Sequence, residues 1–201
     1  TTRWTLPTTT YPMAANSSTT DHVARRLVVI SYNLHGFNQG MPGLHHLIST
    51  IEPNVILIQE HWLTPANMYK LSRSFSDYFC FGSSAMANSV SAGPLIGRPF
   101  GGTAVLVKKS LIHCMTPVVS RERFTAVVIG NWLLASVYLP CAGTANRQSL
   151  FDDVMIEMES VIHDCHDLDL LVGGDFNIDL ETGSSLTATV NNFMQRNTNV
   201  V

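Results

Sequence analysis

The sequence predicts a layered sandwich of mixed strands and helices, α+β or α/β in class, built as one domain. Three observations carry this. Apolar runs rich in β-branched residues alternate with polar turns from Leu27 to about residue 180. Stripes of apolar residues at helical spacing fall between those runs. A length of 201 residues with 45% apolar side chains suffices for one buried core and is too short for two generous ones.

The first segment is the exception. Residues 1–24, TTRWTLPTTTYPMAANSSTTDHVA, are rich in Thr and Ser and lack the continuous apolar stretch of a secretory signal. They read as a disordered polar tail, with the domain expected over residues 25–201. LVVISYN (27–33) and VILIQE (55–60) predict strands buried on both faces. Between them Met41, Leu44, Leu47, Ile48 and Ile51 recur at helical spacing until Pro53 stops the pattern. Thr64 followed by Pro65 suits a helix start, and Met68, Leu71 and Phe75 then share one face.

Residues 82–100 are crowded with Gly, Ser, Ala and Pro and predict a surface loop. TAVLVKK predicts a strand, and LIHCMTPVV, RFTAVVIG and NWLLASVYLP an antiparallel meander. Phe124 to Asn146 carries no charged side chain and is long enough for a membrane span. Gly130-Asn131, Pro140 and Gly143 break it, so two strands and a tight turn are the better reading. From Ala145 to Cys165, Leu150, Val154, Met158 and Val161 mark a long amphipathic helix, and LDLLVGGD (168–175) one more buried strand.

Charge narrows the function. With 12 Lys and Arg against 15 Asp and Glu, the formal charge is −3, which excludes a protein that holds polyanions by bulk electrostatics. Phosphate chemistry must come from a local site. The four cysteines form no C-x-x-C pair, so reduced thiols and an intracellular setting are expected.

Three apolar strands end in residues able to bind a metal or a phosphate: Asn33, Glu60, and Asp175 with Asn177. Taken singly, each has an ordinary structural reading as a turn residue, a solvated strand end or a loop. A buried strand that ends in a carboxylate nevertheless carries a desolvation cost unless that group is paired or bound to a cation. If the strands are neighbours, the three ends meet on one rim, and hard oxygen ligands there suit Mg²⁺ and phosphodiester chemistry.

In order and separation, SYNLHG, IQEHW, VYLP and GGDFN resemble the endonuclease/exonuclease/phosphatase superfamily, over about residues 27–197. GGTAVLVKKSL and VYLPC look most like the endonuclease domain of LINE-type non-LTR retrotransposon polyproteins, which is similar to apurinic/apyrimidinic endonucleases. The resemblance implies a four-layer α/β/β/α sandwich like that of pancreatic deoxyribonuclease. It implies Mg²⁺, with Mn²⁺ as a substitute, held by Glu60 and Asn33. Asp175 would orient or activate the attacking water, Asn177 would stabilise the transition state, and Tyr138 would contact the scissile phosphate.

The same resemblance implies DNA as partner, a downstream reverse-transcriptase domain and a nuclear location, with no membrane association. Arg98, Lys108-Lys109, Arg121 and Arg123 are candidates for contacts to the DNA backbone. One departure stands out. The family's closing Ser-Asp-His segment is missing before Val201, and none of the eight histidines sits in that setting. A C-terminally incomplete domain with weak or no activity is therefore expected. The competing readings are a superfamily phosphatase acting on inositol phosphates or phospholipids, and a non-catalytic remnant serving as a binding module.

Overall fold

The computed structural model describes residues 11–12, 26–93 and 97–197. Two short strands, β1 (Tyr11–Pro12) and β2 (Arg26–Leu27), pair antiparallel. The rest of the tail expected over residues 1–24 lies outside the described residues. There follow β3 (Val29–Asn33), α1 (Phe37–Ile51), β4 (Val55–Gln59), α2 (Tyr69–Ser74), β5 (Tyr78–Ser83) and α3 (Ala87–Ala92). The chain continues with β6 (Thr103–Lys108), β7 (Met115–Ser120), β8 (Phe124–Ile129), β9 (Trp132–Tyr138), α4 (Arg147–Asp164), β10 (Asp169–Asp175) and α5 (Ser185–Asn197).

The long strands form two four-stranded sheets, ordered β3-β4-β6-β5 and β10-β9-β8-β7. Side-chain alternation sets the layers. In β4 and β6, Ile56, Ile58, Ala104 and Leu106 face a core shared with Leu44, Leu71 and Phe75 of the first helical layer. Their neighbours Val55, Leu57, Val105 and Val107 face the other sheet and meet Val127, Ile129 and Leu134. The outer face of the second sheet packs Phe124 and Val137 against Phe151, Val154, Met155 and Met158 of α4 and Leu186, Val190 and Phe193 of α5. The result is the four-layer α/β/β/α sandwich.

Several expectations are corrected. The segments 27–33 and 168–175 are not buried on both faces: β3 and β10 are sheet edges and half-buried, because each has a strand partner on one side only. The loop expected over 82–100 begins inside β5 and contains the helix α3. LIHC, expected to be strand, belongs to a 3₁₀ turn over Lys109–Cys114. The second helix is split into a 3₁₀ turn, Pro65–Asn67, and the six-residue α2. The charge-free run is the β8–β9 hairpin, and no described helix is long and apolar enough to cross a membrane. All four cysteines are free; Cys141 is exposed and the other three are half-buried.

Toward one end the space between the sheets turns polar. Gln59 Nε2 donates to Ser136 Oγ at 2.9 Å and to Ser31 Oγ at 3.2 Å, while Ser136 Oγ donates to the Ile58 carbonyl at 2.8 Å. Beside them the hydroxyls of Thr103 and Thr125 lie 2.9 Å apart. At this same end β3, β4, β9 and β10 finish, since Asn33 pairs with Gln59 and Asp175 with Tyr138.

Candidate active site

The strand ends converge although they belong to different sheets. β3 and β4 are parallel neighbours, whereas β10 reaches them from the opposite sheet. Gly173 permits that approach, since a Cβ there would lie 2.7 Å from Leu57 Cδ1 of the other sheet, whereas one on Gly174 would lie 2.0 Å from the carbonyl oxygen of Val137, its partner within its own sheet. Gly173 therefore sets how closely the two sheets meet beside the site, and Gly174 how closely β10 lies against β9.

Asn33 is the keystone. Its Nδ2 donates to Glu60 Oε1 at 3.0 Å and to Asp175 Oδ2 at 2.8 Å, so one amide joins two carboxylates from two sheets. Its Oδ1 accepts the backbone N–H of His35 at 2.8 Å, which fixes the orientation of the amide. Glu60 Oε2 accepts the Trp62 indole N–H at 3.1 Å and lies 3.7 Å from His35 Nδ1. Asp175 Oδ1 accepts the Asn177 backbone N–H at 3.0 Å. Burial pushes the Asp175 carboxyl above its ordinary range, the bonds from Asn177 and Asn33 oppose that, and the Glu60 charge adds to it.

Tyr138 is 9% exposed, and the Arg123 guanidinium carbon lies 5.7 Å from its ring centre. Burial, reinforced by Glu60, pushes the phenol up well beyond the usual tyrosine range, so it stays a proton donor at neutral pH. Asn177 is held by its own amide, which donates to the Leu139 carbonyl at 2.9 Å, and its carbonyl accepts Arg147 Nη2. Backbone strain gathers here too. His35, Glu60, Trp62 and Asn177 all have φ between 48° and 53°. Non-glycine residues rarely adopt that region, at a cost of about 1–3 kcal/mol each.

The basic residues divide. Arg123 reaches Tyr138, whereas Arg121 pairs with Glu157 of α4 at 3.7 Å and is directed to the outer helical layer. Lys108 and Lys109 lie at the far end of β6, because the site end of that strand is Thr103 opposite Gln59. Arg98 is exposed with its guanidinium 5.2 Å from the Trp62 ring centre. Trp62 itself was not singled out by its sequence. Nothing in the spacing of IQEHW reveals that the indole turns back onto Glu60, since the turn depends on the left-handed backbone at both residues. His61 is a core residue with no exposure: Nδ1 accepts the Leu63 N–H at 3.0 Å and Nε2–H donates to the Ser83 carbonyl at 3.0 Å.

A sequence model of the endonuclease/exonuclease/phosphatase family matches residues 30–195, a span that holds all of these groups. The chain belongs to this family. No curated protein sequence matches it. Among solved structures it is similar to the AP endonuclease LMAP from Leishmania major, with a TM-score of 0.62 and 12% identity over 84% of this chain and 66% of that one. It is similar to the endonuclease domain of TRAS1, a telomere-specific non-LTR retrotransposon, with a TM-score of 0.59 and 15% identity over 84% of this chain and 70% of that one. The 3′-5′ exonuclease NExo from Neisseria meningitidis gives a TM-score of 0.59 and 14% identity over 83% and 70%. At such identities the likeness shows the shared sandwich fold, and family membership makes the protein one of a group of nucleases and phosphatases.

The donor set fits a hard divalent cation. Among the described residues no group of three or more His, Cys, Asp or Glu comes together, so zinc-type ligation is not built here. Two carboxylates share one neutral amide and face no buried cation of the protein. Mg²⁺ keeps most of its own waters and takes one or two carboxylates, which matches this set.

Proposed function

We propose that the protein is a Mg²⁺-dependent phosphodiester hydrolase that nicks DNA, of the kind carried by non-LTR retrotransposons. The Asn33 amide spanning Glu60 and Asp175 carries this reading, because it gathers two carboxylates at a rim where charge can be supplied to a phosphodiester. Glu60, oriented by Asn33 and Trp62, would hold the ion. When bound, the ion neutralises charge on the phosphate oxygens. The likeness to the TRAS1 endonuclease domain supports the retrotransposon assignment, and a downstream reverse-transcriptase domain and a nuclear location belong to the same proposal.

The chain's own groups have separable tasks. Asp175, kept in place by Asn33 and the Asn177 N–H, accepts or steers the proton of the attacking water. The Asn177 amide uses one of its hydrogens on Leu139, leaving the other for an oxygen of the phosphate as charge builds. The Tyr138 phenol donates to the phosphate, with Arg123 lying over its ring.

Supercoiled plasmid with Mg²⁺ tests this directly: relaxed circles are expected, and phosphoinositides under the same conditions are expected to remain intact. Asp175→Ala should lower turnover about 10²- to 10⁴-fold with little change in KM. Phosphoinositide hydrolysis without nicking would move the assignment to the phosphatase branch.

A further inference from the structure

We propose that Arg147 is a positioning residue for the reaction: its guanidinium clamps together the chain segments that follow β9 and β10, and so holds the Asn177 amide in place for the phosphate. This deepens the nuclease reading and rests on it. Arg147 is the first residue of α4, and its side chain reaches back to the strand ends. Nε donates to the Pro140 carbonyl at 2.9 Å, two residues past Tyr138, and Nη2 donates to the Asn177 carbonyl. One side chain of the outer helical layer thus joins the exits of two neighbouring strands.

The position is a poor one for a cation that serves only the helix. A helix N-terminus carries partial positive charge, which disfavours Arg in the first turn. The first turn of α4 holds no acidic residue, and Arg147 forms no ion pair among the described residues. Asn146 before it sits at φ 53° and its side chain makes no capping bond, so this helix start is not arranged for its own stability. The half-buried guanidinium is spent on two main-chain carbonyls instead. A planar fork of donors suits that task, because two acceptors on different segments are fixed at once.

Asn177 is the residue that needs holding. Its φ of 51° is left-handed, a conformation that persists where the surroundings over-determine it. Its N–H donates to Asp175 Oδ1 at 3.0 Å, its Nδ2 donates to the Leu139 carbonyl at 2.9 Å, and its carbonyl accepts Arg147. The Leu139 N–H donates to the Asp175 carbonyl at 2.9 Å and closes the ring between the strands. Without Arg147 the carbonyl side of Asn177 is released, the turn can relax to an ordinary φ, and the amide hydrogen left for the phosphate moves with it.

Nicking of supercoiled plasmid by the full chain in Mg²⁺ tests the clamp. Arg147→Met is expected to lower kcat about 10- to 100-fold and to change KM less than about twofold. Arg147→Lys keeps the charge and loses the fork, and should fall nearly as far; it carries the comparison if Arg147→Met does not fold. Added guanidinium should restore part of the rate to Arg147→Ala and none to Asn177→Ala. In an Asn177→Ala background Arg147→Met should cost less than about twofold more, because the two residues act as one unit. Multiplicative losses in the double variant, a loss confined to KM, or full activity in Arg147→Lys would overturn the assignment.

If the wild-type chain does not nick, the nuclease reading fails and backbone hydrogen exchange decides the clamp alone. Peptides covering 139–146 and 175–179 should then exchange faster in Arg147→Lys than in the wild type, with those of β8 unchanged. Exchange equal to the wild type in both segments refutes the clamp.

Discussion

The two ends of the space between the sheets are made by the same strands and have opposite character. At one end Val55, Val105, Val107, Val127, Ile129 and Leu134 form a dry contact. At the other Ser31, Gln59, Ser136, Thr103 and Thr125 form a hydrogen-bonded ladder that opens onto Asn33, Glu60 and Asp175. The dry end supplies cohesion, whereas the wet end supplies fixed polar groups, and no buried side-chain donor or acceptor among the described residues is left unsatisfied. Burying carboxylates at a sheet edge works against stability, so the sandwich can carry its site only because the other end is apolar.

Substitutions at each end should separate these tasks. Ile129→Ala, at the dry end, should cost about 2–5 kcal/mol in urea unfolding while nicking by the folded fraction persists. A loss of nicking in proportion well beyond the unfolded fraction would show that the two ends are not independent.

Acid probes the wet end. Burial depresses the His61 pKa from 6.5 to about 4, against its bonds to backbone. The unfolded chain takes up a proton near pH 6.5 and the native chain only near pH 4. Stability is therefore full above 6.5 and falls as pH drops from 6.5 to 4, by roughly 3 kcal/mol. Urea midpoints measured across that window should fall for the wild type and flatten above the carboxylate range in His61→Asn.

Gln59→Leu should cost less, about 1–3 kcal/mol, because it strands Ser31 and Ser136 without opening a large cavity. The smallest effect belongs to the cation. At ten times its dissociation constant Mg²⁺ should add about 1.4 kcal/mol, a few degrees of melting temperature, by binding only the native chain. Ile129→Ala should keep that increment and Glu60→Gln should lose it. An equal increment in both would place the ion elsewhere.

How much was legible depends on how local the signal is. β4, the β8–β9 hairpin and α4 follow from runs of residues that carry their own period. α5 carried a period as well, Leu186, Val190 and Phe193, but Thr and Asn dilute it with weak helix formers. β5 was hidden by the Gly- and Ser-rich stretch that its last residues enter. For Arg121 and Lys108 the sequence shows that a cation is present and not which end of a strand or which layer it serves.

The sequence by itself determined the two side-chain periods of the core strands, and hence the layers, and it determined that Asn33, Glu60 and Asp175 each close an apolar strand. Only the tertiary structure decided that they meet. Asp175 comes from the opposite sheet, 142 residues from Asn33, and its 2.8 Å bond exists because sheet packing, close at Gly173, brings the strand ends together. Trp62 was settled at the same level, since a left-handed turn directs its indole back to Glu60. Periodicity is a local property of the chain, whereas the distance between two strand ends depends on how whole sheets pack.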